Sequence, residues 1–201
     1  MAAPLPRLVV ASGNAGKLAE LRALAAALAT DIVSQSELGV AAAAETETSF
    51  AGNALLKARH AARATGLPTL ADDSGLEVDA LGGGPGVLSA RYAGEGAGDA
   101  ANIVKLLAAL AAIPPPRRAR YRAVLVLVQG ADDPAPLVAE GTWEGLIATA
   151  PRGAGGFGYD PLFLPGGGAR TAAELAPAEK NRLSHRAQAL QALLAAWRSR
   201  P

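Results

Sequence analysis

The chain has no cysteine, few aromatic residues and almost no net charge. The lack of cysteine excludes certain kinds of site, and the low net charge removes a reason to expect certain partners. Because none of its 201 residues is cysteine, it forms neither disulfides nor thiolate metal sites, and a reducing compartment is allowed. A net charge of +1 gives no general reason to expect nucleic acid or an acidic membrane as a partner. The apolar run from Leu106 to Ile113 is far shorter than a membrane span, and the N-terminal segment lacks the basic start of a signal peptide. We therefore expect a cytoplasmic protein with no nucleic acid or membrane partner.

What is present describes a globular protein of the α/β class. Hydrophobic residues make up 50% of the chain and charged residues 18%, which excludes a disordered composition. The length suits one domain over residues 1–201, with one core or two lobes sharing a core. Strand and helix patterns alternate, which is typical of α/β folds. A hairpin-length turn follows residues 121–129, so we expect a sheet whose strands are not all parallel.

The local patterns predict the order of the elements. Strands are predicted at residues 8–11, 31–34, 69–72, 76–78, 121–129, 137–148 and 162–164. Helices are predicted after Asn14, over residues 49–65, over residues 99–112 with Asp99 as the cap, and at the C-terminal end of the chain. The run 123–128 is apolar on both faces, which favours a central strand. The last helix carries an apolar stripe that includes Leu183, Leu190 and Trp197.

The segment SGNAGK joins the first strand to the first helix. A strand, a glycine turn and a helix aim backbone N–H groups at an anion, and Lys17 lies on the same helix face as Asn14 near the positive end of the helix dipole. It is not a P-loop, because Ala11 and Leu18 stand where a glycine and a hydroxyl residue are required. The alternative is an ordinary strand–helix turn with a surface lysine.

Two acidic segments suggest a hard-metal site. Asp72 and Asp73 lie together at a predicted strand end, where one carboxylate can bind a cation while the other activates water. Oxygen ligands without cysteine favour Mg²⁺, or Mn²⁺, over zinc. Glu45 precedes a helix on which Asn53 and Lys57 lie one turn apart. The alternatives are an Asp-Asp-Ser-Gly turn held by local hydrogen bonds and a solvated helix face.

Two C-terminal segments carry further candidate residues, and the first of them suits the flat ring of a nucleotide base. The run FGYD at Phe157 to Asp160 offers an aromatic ring between glycines that allow close backbone approach. A flexible loop with two core-anchoring aromatics is the alternative. Lys180, His185 and Arg186 precede or open the last helix; His185 lies nearly opposite the apolar stripe, so we do not expect it in the core. His60 is expected to be merely exposed.

Taken together, these segments resemble the inosine-triphosphate pyrophosphatase family, which includes bacterial dITP/XTP pyrophosphatases. The matching stretches are ASGNAGKLAEL, ETETSFAGNALLKARHAA, LADDSGLEVDALGGGPGVLSARYAG, AEGTWEGLI, GGFGYDPLF, and TAAEL followed by EKNRLSHRAQAL. They run in the family's order from about Leu8 to Leu194, so the resemblance covers nearly the whole chain. It implies an elongated mixed β-sheet flanked by helices, two lobes around a central substrate cleft, and a homodimer.

The resemblance also implies a role for each matching residue. The triphosphate is expected on the first loop, which consists of Ser12, Gly13, Asn14, Ala15, Gly16 and Lys17. Mg²⁺ is expected at Glu45 and Asp73, with Asp73 also the general base and Asp72 its neighbour. Ser74 is expected to contact substrate, and Asn53 and Lys57 to add phosphate or metal contacts. The base is expected on Phe157, Gly158, Tyr159, Asp160, Lys180, His185 and Arg186.

The expected activity is Mg²⁺-dependent hydrolysis of ITP, dITP and XTP to the monophosphate and pyrophosphate, which sanitises the nucleotide pool. A non-catalytic module that binds or senses purine nucleotides is a second class, but it would not need Glu45, Asp72 and Asp73. A P-loop kinase or GTPase is a third, and Ala11 and Leu18 argue against it.

Overall fold

The fold was analysed in a computed structural model that describes residues 5–25, 28–29 and 31–200. Its strands are β1 (Leu8–Ala11), β2 (Ile32–Ser34), β3 (Thr69–Val78), β4 (Arg118–Val128), β5 (Leu137–Ile147) and β6 (Phe163–Pro165). Its helices are α1 (Ala15–Ala25), α2 (Phe50–Thr65), α3 (Asp99–Ala109), α4 (Pro177–Leu183) and α5 (His185–Arg198). Short 3₁₀ turns lie at Asp79–Leu81, Gly86–Arg91 and Ala172–Glu174. In the described part of the chain, no helix combines the length and the apolar character needed to cross a membrane.

The strands form one mixed sheet in the order β2-β1-β3-β4-β5-β6. Strand β1 is parallel to both β2 and β3, whereas β5 and β6 are antiparallel. Strand β4 lies between β3 and β5, and residues 123–128 are all buried, as expected for a strand covered on both faces. The predicted α/β class with a mixed sheet is confirmed.

The first of two compact units comprises Met1–Asp73, Ala123–Gly141 and Arg186–Pro201. Its apolar core joins β1, β3 and β4 to helices α1 and α5. The largest buried members are Leu8, Leu21, Leu28, Leu70, Leu125, Leu127, Leu193 and Trp197. Each fully buried leucine contributes about 1.5–3 kcal/mol relative to exposure, so this core fixes the strand ends that carry the first loop and Asp73.

The second unit comprises Ser74–Arg122 and Thr142–His185, and it has a core of its own. Aromatic rings supply much of it: the Phe163 ring centroid lies 4.6 Å from that of Tyr121 and 5.4 Å from that of Trp143, both at tilted angles that aromatic pairs favour. The aliphatic members are Leu76, Val78, Leu106, Leu110, Ile147 and Leu162. These contacts place the segment 157–160 directly against the core.

Helix α2 behaves as its sequence predicts. The Ser49 hydroxyl accepts a hydrogen bond from the Gly52 amide at 3.1 Å, which caps the N-terminus. Gly66 ends the helix in the left-handed region, at φ 68°, where a residue with a side chain is disfavoured. The cap fixes the rotation of the helix, and Asn53 and Lys57 lie on its next turns.

Three local predictions were wrong. Residues 69–78 form one strand rather than two strands around an acidic turn, because side-chain partners satisfy the two carboxylates and the backbone stays extended. Helix α3 is capped by Gly98, not Asp99, and it ends at Ala109. Ser184 is extended and separates α4 from α5, so Leu183 is 40% exposed and does not belong to the apolar stripe of the last helix.

Candidate active site

The first loop is organised by its own polar side chains. The Ser12 hydroxyl accepts from the Asn14 amide at 3.3 Å, and Asn14 Oδ1 accepts from the Lys17 amide at 3.0 Å. Asn14 therefore caps the N-terminus of α1, which begins at Ala15. Gly13 and Asn14 remain exposed at the positive end of the helix, where an anion is favoured. The predicted phosphate loop has the geometry that its sequence indicates.

Asp72 is held as an ion by two cations. Its side chain is fully buried, with Oδ2 lying 3.0 Å from Lys17 Nζ and Oδ1 lying 3.5 Å from Arg186 Nε. Burial would raise the pKa of Asp72, but the charges of Lys17, Arg186 and Lys57 outweigh it and hold the pKa well below its ordinary value. An ionised and enclosed carboxylate of this kind is a poor proton acceptor, and its contacts hold Lys17 and Arg186 beside it.

Asp73 has the opposite electrostatic environment. Lys57 Nζ donates to Asp73 Oδ1 at 3.1 Å and to Glu45 Oε1 at 2.7 Å, and Asn53 Nδ2 donates to Asp73 Oδ2 at 3.2 Å. We call these four residues the acid–lysine cluster. Burial raises the pKa of Asp73, and together with the nearby charge of Glu45 it outweighs the lowering effect of Lys57 and Lys17. Neighbouring acids with pKa values driven apart are typical of acid–base sites.

Lys57 keeps its charge despite its position. Burial alone would lower the pKa of Lys57, but the carboxylates of Asp73 and Glu45 outweigh that cost and raise it. The lysine therefore stays cationic and holds the two acids together.

The acid–lysine cluster suits a hard divalent cation by its chemistry. Glu45 and Asp73 each place a carboxylate oxygen within 3.1 Å of one ammonium nitrogen, so two hard oxygen ligands converge. Mg²⁺ commonly takes only one or two protein carboxylates and completes its shell with phosphate oxygens and water. Within residues 5–25, 28–29 and 31–200, no three His, Cys, Asp or Glu side chains form a metal-binding group. A cation here would depend on the substrate for part of its shell.

Asn53 is a positioning residue in this arrangement. Its side chain is fully buried, and its amide oxygen accepts from the Glu47 amide at 3.0 Å while its nitrogen donates to the Glu47 carbonyl at 3.2 Å. The same nitrogen reaches Asp73. Asn53 therefore ties the segment that carries Glu45 to Asp73. Its contact with phosphate or metal stays a prediction.

The segment Phe157–Gly158–Tyr159–Asp160, which we call the FGYD loop, is built around one carboxylate. Asp160 Oδ2 accepts from Lys180 Nζ at 2.6 Å and from the Phe157 amide at 2.9 Å. Lys180 Nζ lies 4.8 Å from the centroid of the Phe157 ring, within the range of a cation–π contact. Gly156 permits this packing, because a Cβ there would lie 2.0 Å from Asp160 Oδ2. The structure thus brings Lys180 against Phe157 and Asp160, although Lys180 lies 20 residues after Asp160 in the sequence.

The two middle residues of the FGYD loop are anchored elsewhere. The ring of Tyr159 is 3% exposed, and its hydroxyl donates to the Ser89 carbonyl at 2.9 Å. Burial raises the pKa of Tyr159 above its ordinary value, so the phenol stays a donor. Tyr159 is a core anchor, and Phe157 is the half-buried ring of the pair. The Gly158 amide donates to Asp99 Oδ2 at 2.6 Å, a contact that no motif in the sequence indicates.

The residues at the start of α5 differ from expectation in one respect. His185 is 2% exposed and stacks on Tyr121, with ring centroids 4.8 Å apart and an interplanar angle of 10°. It is therefore buried, against the prediction from the apolar stripe, because the Tyr121 ring covers it, a contact that helical periodicity does not report. Arg186 is equally enclosed, and its Nη1 donates to Glu20 Oε2 at 2.6 Å. His60 is exposed, as predicted.

Comparisons with known proteins agree with these motifs. A sequence model of the Ham1 family matches residues 8–196. The chain is 60% identical over 190 residues to the dITP/XTP pyrophosphatase of Xanthomonas campestris pv. campestris (strain 8004), and the match covers 94% of this chain and 96% of that relative. It is 54% identical over 196 residues to the dITP/XTP pyrophosphatase of Shigella flexneri, covering 97% of this chain and 100% of the relative. The structure of a HAM1 protein from Coxiella burnetii aligns at a TM-score of 0.87 and 49% identity, covering 98% of this chain and 100% of the other.

Proposed function

Because the chain belongs to the Ham1 family, we propose that it is a dITP/XTP pyrophosphatase. It hydrolyses noncanonical purine nucleoside triphosphates (ITP, dITP and XTP) to the monophosphate and pyrophosphate, and so removes damaged purines from the nucleotide pool. The structural observation that carries the proposal is the difference between two adjacent acids. Asp72 is held ionised by Lys17 and Arg186, whereas Asp73 has a raised pKa and lies beside Glu45 and Lys57.

Asp73 is assigned as the general base. A water oxygen forms a bond to phosphorus, a phosphoanhydride P–O bond breaks, and the proton of the water passes to a carboxylate oxygen of Asp73. A raised pKa suits this step, because a base is most effective when its pKa approaches the working pH. We propose that Glu45 and Asp73 hold Mg²⁺, or Mn²⁺ in its place. When bound, this ion would neutralise phosphate charge and lower the pKa of a water.

The phosphate chain is assigned to the first loop. The exposed residues Gly13 and Asn14 lie at the positive end of α1, which favours an anion. The ammonium groups of Lys17 and Lys57 are fixed by Asp72 and Asp73, so they are already in place to stabilise charge that develops on the phosphates. Ser74 adjoins Asp73 in β3 and is assigned a substrate contact.

The purine is assigned to a second group of residues. The half-buried Phe157 ring supplies an apolar surface, and Asp160 and Lys180 beside it supply an acceptor and a donor. His185 and Arg186 supply further donors. A donor directed at O6 satisfies hypoxanthine but meets the 6-amino group of adenine donor to donor. Leaving one buried donor unpaired costs about 1–3 kcal/mol, so two such mismatches would reject ATP by roughly a hundredfold or more.

The proposal is tested by measuring pyrophosphate release from ITP, XTP, GTP and ATP, each with Mg²⁺ and with EDTA. We expect fast Mg²⁺-dependent release from ITP and XTP and slow release from GTP and ATP. Asp73→Asn should lower kcat by roughly 10²–10⁴ if Asp73 is the base. Asp31→Asn is the matched control, since Asp31 is a half-exposed carboxylate that pairs with Arg7. Tight ITP binding without release would instead support a non-catalytic purine-binding module.

The proposed function also suggests where the enzyme acts and in which oligomeric state. We propose that the enzyme acts in the cytoplasm, where nucleoside triphosphates are made and consumed, and that it works as a homodimer. Light scattering across a tenfold range of protein concentration tests the second proposal, and a monomer mass throughout would refute it.

A further inference from the structure

Both N–H groups at the start of the FGYD loop are taken by carboxylates, and the two carboxylates come from different places. The Phe157 amide donates to Asp160 within the loop. The Gly158 amide donates at 2.6 Å to Asp99, which lies 59 residues earlier in the chain. A bond this short, to a carboxyl oxygen, belongs to the stronger class of hydrogen bonds.

Asp99 lies on a helix that is held by core packing and by buried hydrogen bonds. It is the first residue of α3, and Leu106 and Leu110 bury the far end of that helix in the core of the second unit. Asn102 is 2% exposed; its Oδ1 accepts from the Ala93 amide at 2.7 Å and its Nδ2 donates to the Ala90 carbonyl at 3.1 Å. A side chain on such a helix can hold a loop in one place, because the helix is fixed by core contacts and hydrogen bonds that do not involve the loop.

We propose that Asp99 is a positioning residue for purine recognition: it fixes the Phe157–Gly158 peptide in the orientation in which the Phe157 ring receives the base. This inference rests on the proposed function. Gly158 has φ 61°, a left-handed conformation that glycine leaves as readily as it adopts. Tyr159 is anchored through Ser89 and the Phe157 amide through Asp160. The carbonyl of the Phe157–Gly158 peptide accepts from the Asp160 amide at 3.3 Å, and the N–H of the same peptide is the group that Asp99 satisfies.

A simpler role for Asp99 must be separated from this one. A carboxylate in the first turn of a helix interacts favourably with the helix dipole, whether or not it bonds to a loop. The two roles make opposite demands on the side chain. Positioning requires an acceptor oxygen at the same distance, which Asp99→Asn retains and Asp99→Glu displaces by one methylene. Dipole stabilisation requires the charge, which Asp99→Glu retains and Asp99→Asn removes.

The kinetic test compares these variants with Asp99→Ala. We expect Asp99→Ala to raise KM for ITP roughly fivefold, in line with loss of one hydrogen bond, while kcat changes less than about twofold. The ITP over GTP ratio of kcat/KM should fall by a similar factor. Asp99→Asn should retain most of both properties and Asp99→Glu should not. Glu95→Ala is the matched control, because it removes a carboxylate four residues away whose side chain is 87% exposed.

An NMR measurement tests the contact without relying on activity. The Gly158 amide proton should resonate far downfield and exchange slowly in the unaltered protein and in Glu95→Ala, and it should lose both properties in Asp99→Ala. The inference is overturned if that proton is unchanged in Asp99→Ala, or if Asp99→Glu matches the unaltered enzyme while Asp99→Asn matches Asp99→Ala. An unaltered protein that releases no pyrophosphate from ITP would refute the proposed function, while an unaltered Gly158 amide in Asp99→Ala would refute the Asp99 contact by itself.

Discussion

Replacing Gly156 by alanine is the sharpest perturbation of the proposed purine site that the structure offers. Gly156 has φ 72°, and a Cβ built there would lie 2.0 Å from Asp160 Oδ2 and 2.9 Å from its Cγ. That separation is far below contact distance, so the Asp160 carboxylate must move. Its displacement would break the bonds to Lys180 Nζ and to the Phe157 amide at the same time.

The size of the effect divides into two parts. Holding an alanine in the left-handed region costs about 1–2 kcal/mol wherever it occurs. Loss of a hydrogen bond to a charged group costs a further 1.5–3 kcal/mol or so. Gly166→Ala isolates the first part, because Gly166 has φ 59° and its Cβ would have no atom within 4 Å. Loss of one of the two bonds gives an excess of Gly156→Ala over this control of about 1.5–3 kcal/mol, or roughly 10- to 150-fold in an equilibrium constant, and loss of both raises it further.

The assay is kcat/KM for pyrophosphate release from ITP, measured for both variants and the unaltered enzyme, with thermal unfolding followed by circular dichroism. We expect the two variants to lose similar stability to backbone strain, and Gly156→Ala to lose at least tenfold more kcat/KM than Gly166→Ala. Equal activities in the two variants would show that the Asp160–Lys180 pair does not support catalysis, and the role assigned to the FGYD loop would fail with it.

Three further predictions concern stability. Asp72→Asn should lower the free energy of unfolding by about 3–5 kcal/mol in urea titrations, because buried cations lose their counter-charge; a change below about 1 kcal/mol would contradict this. Hydrogen bonds, first from the Ser34 amide, lower the pKa of Glu37 from 4.5 to about 2, so its contribution is present above pH 4.5 and is lost as the pH falls towards 2. Glu37→Gln should flatten acid unfolding in that window, and an unchanged profile would refute the contact. Leu193→Ala should cost about 2–5 kcal/mol and Leu183→Ala under about 1, since Leu193 is fully buried and Leu183 is 40% exposed; equal melting temperatures would be inconsistent with the break between α4 and α5.

Features fixed by neighbouring residues were predictable from the sequence. The Asn14 cap and the following helix depend on residues within one turn, as do the Ser49 cap and the Gly66 stop of α2. The buried character of β4 follows from its own apolar run. In each case the physical cause lies inside the segment, so no knowledge of the tertiary structure is needed.

Features fixed by distant partners were not predictable. Asp99 has the right chemistry and position for a helix cap, and only the folded chain shows that it accepts from the Gly158 amide. The predicted exposure of His185 is wrong because the Tyr121 ring, from a distant part of the chain, stacks on the side of the helix opposite the apolar stripe. The extended Ser184 separates Leu183 from the helix that follows, which is why Leu183 lies outside that stripe. Packing determines long-range hydrogen bonds. It also determines helix breaks at residues, such as serine, that are compatible with a helix. The periodicity of a sequence reports neither.

The two adjacent acids show where local reasoning ends. Successive side chains in a strand point to opposite faces, so the sequence alone predicts that Asp72 and Asp73 have different surroundings once they lie in extended backbone. It does not say which acid meets which cations, because Lys17, Lys57 and Arg186 come from three separate helices. Two cations within 3.5 Å hold Asp72 ionised, whereas Lys57 at Asp73 is shared with Glu45. Because Glu45 competes for that ammonium and adds a negative charge of its own, burial outweighs the cations at Asp73 and its pKa is raised while that of Asp72 is lowered.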